Sequence, residues 1–536
     1  MVHLFLSLSG WLLIGKHRSS QRHRIDLANA SAHIPYWKNL IIILFPALLG
    51  WQFQWVFNES DVLALAMHYA DPNWAKGDWY LGLPGEYRIL FNALTGPVMK
   101  VLGTAWAIPL LRALFLIAFG WVISRWLRSA QLAPAALLWA LFFHFRNQSF
   151  LAEEWMYGGI ETKALAYVLL LLSLFAMHRQ YPWLTGLSAG LALSFHVLVG
   201  FFGGCSLLLV LILQKKSLGR LVEKWPALLI SALIGGSFGL FFIAHTLLAE
   251  PVPGMDEAWD LYVHFRVPHH LLPNEFPFEG WLYFGCFIAL HLLSFLWVRS
   301  NELLGRLRLL SLCSLLFFAM GLMLFWTDQT QALRYYWFRL SDALLPFTSF
   351  LLLGALLSQK LHLWTRNWPK MSRRIGGSIL FFAPILLASM NTYDRWTTAG
   401  TNYKAKKDHW IMQETDPSDV FLIDPAQSTF YFTYQRPQYV SFKHFPQEAG
   451  AIIEWRRRLE NCAGDLWPAS QGMHFRKEIG AVYNRLDAEH IDRLCREENI
   501  RYALFSAHAP TKEGLPVAHH DERQVIYGPF SSEFRP

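Results

Sequence analysis

The chain is poor in charge and in cysteine. Only 16% of its 536 residues are Asp, Glu, Lys or Arg, and only five are Cys. Five cysteines are too few for a scaffold held together by disulfides. The region after Thr392 has no GxGxxG or GxxxxGK[ST] motif, and no HExxH or CxxC accompanies the histidines. A standard nucleotide site and a standard zinc motif are therefore not predicted.

Apolar residues, in contrast, make up 54% of the sequence, and the mean hydropathy is +0.25. Many apolar runs reach the roughly 18–20 residues that cross about 30 Å of hydrocarbon. A soluble enzyme cannot bury so much apolar surface, so the bilayer must be the solvent of these runs. The sequence therefore predicts an α-helical polytopic membrane protein.

Lys and Arg crowd every second loop between the apolar runs, whereas acidic, His and aromatic residues crowd the loops in between. Basic loops stay in the cytoplasm, so this pattern orients the chain. We expect about eleven spans within residues 38–393, with the N-terminus inside, in an inner (plasma) membrane. The predicted outer loops are residues 58–104, 146–161, 249–280 and 327–336.

The two ends of the chain differ from the membrane region. Residues 1–37 are expected to form a cytoplasmic or interfacial segment, because Met1–Ile14 has neither a basic start nor a signal-peptide cleavage site. Residues 394–536 alternate strand and helix patterns, which favours a small extracytoplasmic α/β domain. Cys462 and Cys495 lie in this domain, and the sequence leaves open whether they pair. The predicted elements are strands at Val420–Ile423, Thr429–Tyr434, Gln438–Phe442 and Tyr502–Ser506 and helices at Gly450–Asn461 and Ala488–Asn499.

The first outer loop is rich in carboxylates. Asn58-Glu59-Ser60-Asp61 follows the first span directly, at the membrane surface where a lipid-borne head group is presented. Glu59 and Asp61 are two residues apart and diverge by about 200° on a helix, so only one of them points into a given site. Asp61 is a candidate catalytic or ion-binding residue. The alternative is that it caps a helix over Val62–Tyr69.

Asp78 and Arg88 bound a second part of this loop, around Gly77-Asp78-Trp79-Tyr80. Aromatic faces stack on sugars, which favours contact with a saccharide or a head group. Anchoring at the membrane interface explains the same residues equally well.

Ionisable residues within or beside membrane spans are costly and are therefore candidate functional groups. Glu154, Glu161 and Lys163 surround Gly158-Gly159 at the outer end of one span. We expect these three side chains to contact substrate.

Two arginines, Arg334 and Arg339, lie at the outer start of a late span. A planar guanidinium group of fixed charge suits a phosphate. The alternative for Arg339 is a structural ion pair with Asp342, three residues further along a helix.

The string Arg266-Val267-Pro268-His269-His270 is the most distinctive short stretch of the outer loops. Two adjacent histidines beside proline suit acid/base chemistry, substrate contacts or metal ligation. Adjacent histidines chelate a single metal ion poorly, so no metal ligands are assigned here. Arg266, His269 and His270 are candidate substrate-binding residues, and a structured loop is the alternative.

With these features the chain resembles the GT-C superfamily of polytopic membrane glycosyltransferases, most of all its uncharacterised bacterial members. The likeness rests on an inside N-terminus, about eleven spans, an acidic first outer loop and an outer C-terminal domain. Glu59-Ser60-Asp61 matches the short acidic ExD motif of the superfamily in place and spacing. No WWD-type motif follows in the C-terminal region, so the resemblance does not extend to the oligosaccharyltransferases.

The resemblance implies an inverting transfer of a sugar from a polyprenyl-phosphate-linked donor to a glycan, lipid or protein of the cell envelope. Asp61, or failing it Glu59, would act as general base, and Arg334 or Arg339 would bind the donor's phosphate. Membrane lipid is an expected partner and nucleic acid is not, because the net charge of +8 comes largely from the cytoplasmic loops. No cofactor is required, and a divalent cation stays open.

Two rival classes of protein stay open beside this one. The first is a polymerase or ligase of lipid-linked polysaccharide, which usually carries one long outer loop between late spans rather than a terminal domain. The second is a non-catalytic transporter or scaffold. Transporters commonly show repeat symmetry between halves, and this sequence shows none.

Overall fold

The computed structural model describes residues 35–54, 56–84, 86–130, 132–148, 150–248, 250, 252–297, 301–365, 367–397 and 403–531. The expectation for the N-terminal segment falls almost entirely on residues 1–34, which lie outside the described residues. The described chain is a helical, multi-pass membrane protein with a small C-terminal sheet region.

Six helices among the described residues are long and apolar enough to cross a membrane. On the helix Trp225–Leu248, large apolar side chains such as Ile234, Phe241 and Leu248 are exposed. Only a lipid environment covers such a face at low free-energy cost. The six are Thr104–Trp126, Trp225–Leu248, Phe278–Leu296, Glu302–Trp326, Arg339–Leu361 and Lys370–Arg395.

The prediction of about eleven full spans is not matched by the described helices. Several expected spans are too short: Pro134–Arg146, for example, has 13 residues and is only about 20 Å long at 1.5 Å per residue. The helix Ile89–Leu102 falls inside the expected outer loop 58–104, where no membrane segment was predicted. The shorter apolar helices are Tyr36–Gly50, Ile89–Leu102, Thr162–His178 and Val197–Leu213.

The long apolar stretch after Pro182 is too long for one span and forms two helices. The break lies at His196 and not at Gly200, Gly203 and Gly204, which are inside the second helix. Pro182–Phe195 and Val197–Leu213 meet at His196, whose side chain accepts the N–H of Val199. The other helices of this region are Glu59–Ala70, Gly219–Glu223, Met255–Asp260 and Pro268–Leu271, with a π-helix at Leu261–Arg266 and 3-10 turns at Glu86–Arg88, Pro273–Glu275, Ser294–Leu296 and Thr330–Tyr335.

Loops that were predicted to share one side of the membrane contact one another. The guanidinium of Arg306 donates to Gln214 Oε1 at 3.0 Å and lies 2.6 Å from Nδ1 of His178. The backbone N–H of Ala133 donates to the hydroxyl of Ser358 at 3.1 Å. The basic loops therefore gather at one end of the helices, and the acidic loops gather at the other.

The C-terminal region contains one four-stranded sheet, formed by β1 (Phe421–Leu422), β2 (Tyr502–Ser506), β3 (Val517–His520) and β4 (Gln524–Tyr527). The strand order is β1-β2-β4-β3, with β1 and β2 parallel and the other pairs antiparallel. The helices around it are Trp410–Glu414, Phe430–Tyr434, Ala449–Asn461, Gly472–Tyr483 and Ala488–Glu497.

Two of the four predicted strands are wrong. Thr429–Tyr434 contains the helix Phe430–Tyr434, because its aromatic side chains are buried on consecutive residues rather than on alternate ones. Gln438–Phe442 contributes one isolated bridge to Phe421 instead of a strand. The strand at Tyr502–Ser506 and both predicted helices are confirmed within two residues.

Cys462 and Cys495 are free thiols, so a disulfide between them does not form. Both side chains are buried in the same apolar core, together with Leu459 and Tyr483. They act as small packing residues in that core.

We predict that the basic end of the helices faces the cytoplasm, because Lys and Arg are retained on that side during insertion. Lys370 is exposed at the basic end of the helices, and Lys477 is exposed in the C-terminal region. In a Cys286→Ala background, Lys477→Cys should react with a membrane-impermeant maleimide in intact cells, whereas Lys370→Cys should react only after permeabilisation. Labelling at position 370 alone in intact cells contradicts the orientation.

Candidate functional site

Glu59 is the centre of a fully buried polar network. Its carboxylate accepts Nε of Arg112 at 2.9 Å and is also bonded to Nη2 of that arginine. It accepts the N–H of Ile160 at 2.8 Å and the hydroxyl of Tyr403 at 2.5 Å. A Cβ atom at Gly159 would lie 2.9 Å from this carboxylate, so only glycine fits there. The carboxylate of Glu59 thus joins its own segment to three others, and neither it nor Arg112 has any exposed side-chain surface.

Asp78 joins the first outer loop to the C-terminal region. Its carboxylate accepts the N–H of Leu81, the hydroxyl of Tyr431 and the N–H of Gln438, each at 2.9 Å. Burial raises the pKa of this carboxyl above its ordinary value despite these hydrogen bonds. With 3% of its surface exposed, Asp78 is a positioning residue rather than a substrate contact.

Asp61 differs from Glu59 and Asp78 because it is less deeply buried, with 15% of its side chain exposed. It pairs with Arg88 at 3.0 Å and accepts the hydroxyl of Tyr80. Burial raises the pKa of Asp61, but Arg88 and the nearby groups outweigh this, so the pKa lies below its ordinary value. The helix begins at Glu59 with Asn58 as its N-cap, so Asp61 does not cap it.

Lys443 and Arg266 bring positive charge to this carboxylate. Lys443 donates to Oδ1 of Asn58 at 2.6 Å, and burial with the neighbouring Arg266 lowers the pKa of its ammonium. Arg266 lies over the ring of Phe442 at 4.4 Å and is 7% exposed. Within the described part of the chain, neither cation has a carboxylate within 4.0 Å, and Nε of Arg266 has no hydrogen-bond partner. The pKa of Lys443 falls to about 7, so an anion bound here would pair with Arg266 and would favour the charged form of Lys443.

Glu154 and its cations form the adjoining part of the site. Its carboxylate pairs with Lys163 at 3.0 Å and with Arg339 at 2.6 Å. Burial raises the pKa of Glu154, but Arg339 and Lys163 outweigh it and lower the pKa overall. Glu161 lies 3.7 Å from Lys163, and burial raises the pKa of its carboxyl. Arg339 therefore pairs with Glu154 rather than with Asp342.

Asp342, which the sequence offered as a partner for Arg339, has a structural role. Its carboxylate accepts the backbone N–H groups of Leu151, Ala152 and Glu154 at 3.0–3.1 Å. These bonds fix the segment that carries Glu154 beside the helix Arg339–Thr365.

Helix N-termini add to the positive potential of this region. The helices Thr162–His178, Val197–Leu213 and Arg339–Thr365 begin beside Glu154, and His196 at the start of the second lies 3.2 Å from Arg339. Each helix N-terminus carries partial positive charge. The helix N-termini and the basic side chains therefore both attract an anion to this region.

His269 and His270 line the same region, with ring centroids 4.1 Å apart. Nδ1 of His270 donates to the carbonyl of Ala152 at 2.7 Å. Burial lowers the pKa of His269 to about 4 and that of His270 well below its ordinary value. Both imidazoles are therefore neutral at pH 7 and suit hydrogen bonding rather than charge pairing.

Arg334 lies apart from these residues. Its guanidinium stacks on Trp259 at 4.3 Å and on Tyr335 at 4.8 Å. The sequence singled out twelve side chains. Of these, Arg334 does not reach the site, and Glu59 and Asp78 support it. The other nine gather around the site: Asp61, Arg88, Glu154, Glu161, Lys163, Arg266, His269, His270 and Arg339.

Sequence reasoning missed Lys443, His444 and Tyr403. Lys443 and His444 come from the C-terminal region, and His444 packs its ring 5.4 Å from that of Tyr80. No local motif surrounds them, and nearly 400 residues separate Lys443 from Asn58. A small cleft of about 20 Å³, with room for little more than a water molecule, opens beside Tyr80 and Tyr87, between the first outer loop and the segment after His444.

Residues 408–462 match a family model described as a domain of unknown function, DUF6798. The match covers a small part of the chain and includes Tyr431, Gln438, Lys443 and His444. No match is found among curated proteins. The similarity thus falls on the segment that anchors Asp78 and supplies Lys443 to the site.

We predict that Glu59→Gln destabilises the protein strongly, because Arg112 is then left as an unpaired buried charge, at a cost of about 3–5 kcal/mol. Thermal unfolding of the detergent-solubilised protein measures this. Glu454→Gln is the matched control, since its pair with Arg457 at 2.7 Å lies at the surface and is worth at most about 1 kcal/mol. Equal shifts for both variants contradict the role assigned to Glu59.

Proposed function

We propose that this chain is an integral membrane glycosyltransferase of GT-C type, which transfers a sugar from a polyprenyl-phosphate-linked donor to a cell-envelope acceptor. The observation that carries the proposal is that a partly exposed side chain, Asp61, lies near two buried basic side chains, Arg266 and Lys443, which have no ion pair among the described residues. A base beside an anion site is the arrangement that transfer from a sugar phosphate requires.

The position of the site supports a lipid-linked donor. Asp61 follows the end of the helix Tyr36–Gly50 by eleven residues, and Lys163 and Arg339 lie at the first turns of apolar helices. A phosphate carried on a polyprenyl chain lies at this depth while the chain stays in lipid. In this proposal the site and the C-terminal region face outward, at the extracytoplasmic side of the inner (plasma) membrane.

In the proposed mechanism, Asp61 removes the proton from the acceptor hydroxyl as that oxygen attacks the anomeric carbon. The bond between this carbon and the phosphate oxygen breaks, and the phosphate leaves on the lipid. The lowered pKa of Asp61 keeps it ionised at neutral pH, as a base must be. Arg88 and Tyr80 hold the carboxylate in place.

The leaving phosphate gains negative charge during this step, and Arg266, Lys443 and the helix N-termini stabilise it. His269 and His270, being neutral, orient hydroxyl groups of the sugar. The carboxylates of this site are each paired with arginine or lysine, so among the described residues around Asp61 no group of carboxylates is left to hold a divalent cation.

We predict that Asp61→Asn lowers transfer by at least about 10², because the amide keeps the size of the side chain but cannot take the proton. The glycolipid and envelope glycan profile of a deletion strain complemented with each variant measures this. Asp71→Asn, at the other end of the same helix and in a partly exposed pair with Lys100, is the control and should restore the profile. Full restoration by Asp61→Asn at normal membrane level would end the catalytic role of Asp61.

We predict that Arg266→Gln weakens binding of polyprenyl phosphate at least about tenfold, since a buried charge that contacts phosphate is lost. Purified protein in nanodiscs, titrated with polyprenyl phosphate, measures this. Arg334→Gln is the matched control, because Arg334 stacks on the rings of Trp259 and Tyr335, away from the site. Equal affinities for the two variants, or a larger loss in Arg334→Gln, contradict the placement of the phosphate.

A further inference from the structure

Three side chains with metal-ligand chemistry meet at the edge of the C-terminal sheet, outside the site described above. His409 precedes the helix Trp410–Glu414, His519 lies on β3, and Asp521 follows β3 in the turn to β4. Nε2 of each histidine is 3.6 Å from Oδ2 of Asp521. All three ligand atoms lie within 4.8 Å of one another.

The spacing of these atoms fits a single small cation. Zn²⁺ holds histidine nitrogen and carboxylate oxygen at about 2.0–2.2 Å, so two ligand atoms on one tetrahedral ion are roughly 3.3–3.6 Å apart. The two distances to Asp521 already have this value. The two histidine nitrogens lie within 4.8 Å of each other, so at most a small shift brings all three ligand atoms to this spacing.

The ligands are held in place by their surroundings. The other oxygen of Asp521, Oδ1, accepts the backbone N–H groups of Arg523 at 2.8 Å and of Gln524 at 3.0 Å, which leaves Oδ2 turned toward the histidines. His519 stacks on Trp410, with ring centroids 5.6 Å apart and an interplanar angle of 8°. Such second contacts orient metal ligands and reduce the entropy lost on binding.

We propose that His409, His519 and Asp521 bind a divalent transition-metal ion of the Zn²⁺ type. Two imidazoles and one carboxylate suit Zn²⁺ and similar ions, whereas Ca²⁺ and Mg²⁺ prefer oxygen ligands alone. Three protein ligands leave a fourth position for water or another donor.

The ion joins two parts of the chain that are far apart in sequence. His409 belongs to the segment that leads from the last membrane helix into the sheet region, and β3 is the edge strand of the sheet. A metal ion bound here would link the edge strand β3 to the segment that contains His409. The site is independent of the proposed transfer reaction, because none of its residues contacts Asp61 or its partners.

Binding also changes the start of a helix. Nδ1 of His409 accepts the N–H of Ile411 at 3.2 Å. Coordination through Nε2 places the ring proton on Nδ1, so this capping bond breaks when the metal binds. The amide of Gln524, which contacts Nε2 of His409, must turn aside or supply its oxygen as the fourth ligand.

The test is a calorimetric titration of the full chain, without a polyhistidine tag, with Zn²⁺ in detergent. The native protein should bind one ion tightly, and His519→Ala and Asp521→Asn should each weaken this binding at least about tenfold. His520→Ala is the matched control, because His520 is the next residue on β3 and is exposed. This control should bind like the native protein.

X-ray absorption at the zinc edge of the loaded native protein provides a test that needs no variant. Two imidazole nitrogens with oxygen and without sulfur are expected, since the buried Cys462 and Cys495 take no part. The proposal is overturned if the native protein does not bind Zn²⁺, if sulfur ligates the ion, or if His520→Ala loses as much affinity as His519→Ala.

Discussion

The buried pair of Glu59 and Arg112 is the interaction on which the rest of the site depends. A buried charge is tolerated only when hydrogen bonds and ion pairs replace the lost solvent. Glu59 obtains its partners from three other segments of the chain, through Arg112, Ile160 and Tyr403. Its position fixes the first turn of the helix Glu59–Ala70, and therefore the position of Asp61 two residues later. The two acids of the motif thus have different roles. The carboxylate of Glu59 is buried and fully paired, whereas the side chain of Asp61 stays partly exposed.

Around Asp61 the protein collects more positive charge than it neutralises. Arg88 pairs with Asp61, Lys163 pairs with Glu154 and Glu161, and Arg339 pairs with Glu154. Arg266 and Lys443 are buried without an ion pair among the described residues. An unpaired buried cation lowers the free energy of unfolding, and a bound anion would offset this loss. A lipid-linked phosphate has the negative charge that these basic groups require. Its lipid chain would keep it at the membrane surface, where the apolar helices end.

Much of this arrangement was predictable from the sequence, because membrane spans and basic loops leave strong local patterns. Asp61 and Arg266 were identified from the loops in which they lie, and the strand Tyr502–Ser506 from its composition. Lys443 was not found, since it reaches the site only through tertiary folding of a region without a motif. The helix Phe430–Tyr434 was taken for a strand because packing of its aromatic rings overrides local propensity.

The central claim is that a lipid-linked phosphate binds beside Asp61, between the membrane helices and the C-terminal region. Cryo-electron microscopy of the protein in nanodiscs with polyprenyl phosphate tests this claim most directly. The account predicts phosphate density in contact with Arg266 and Lys443 and close to the Asp61 carboxylate, with the chain leaving into lipid. Phosphate density elsewhere, with Arg266 and Lys443 unchanged and uncontacted, would contradict it.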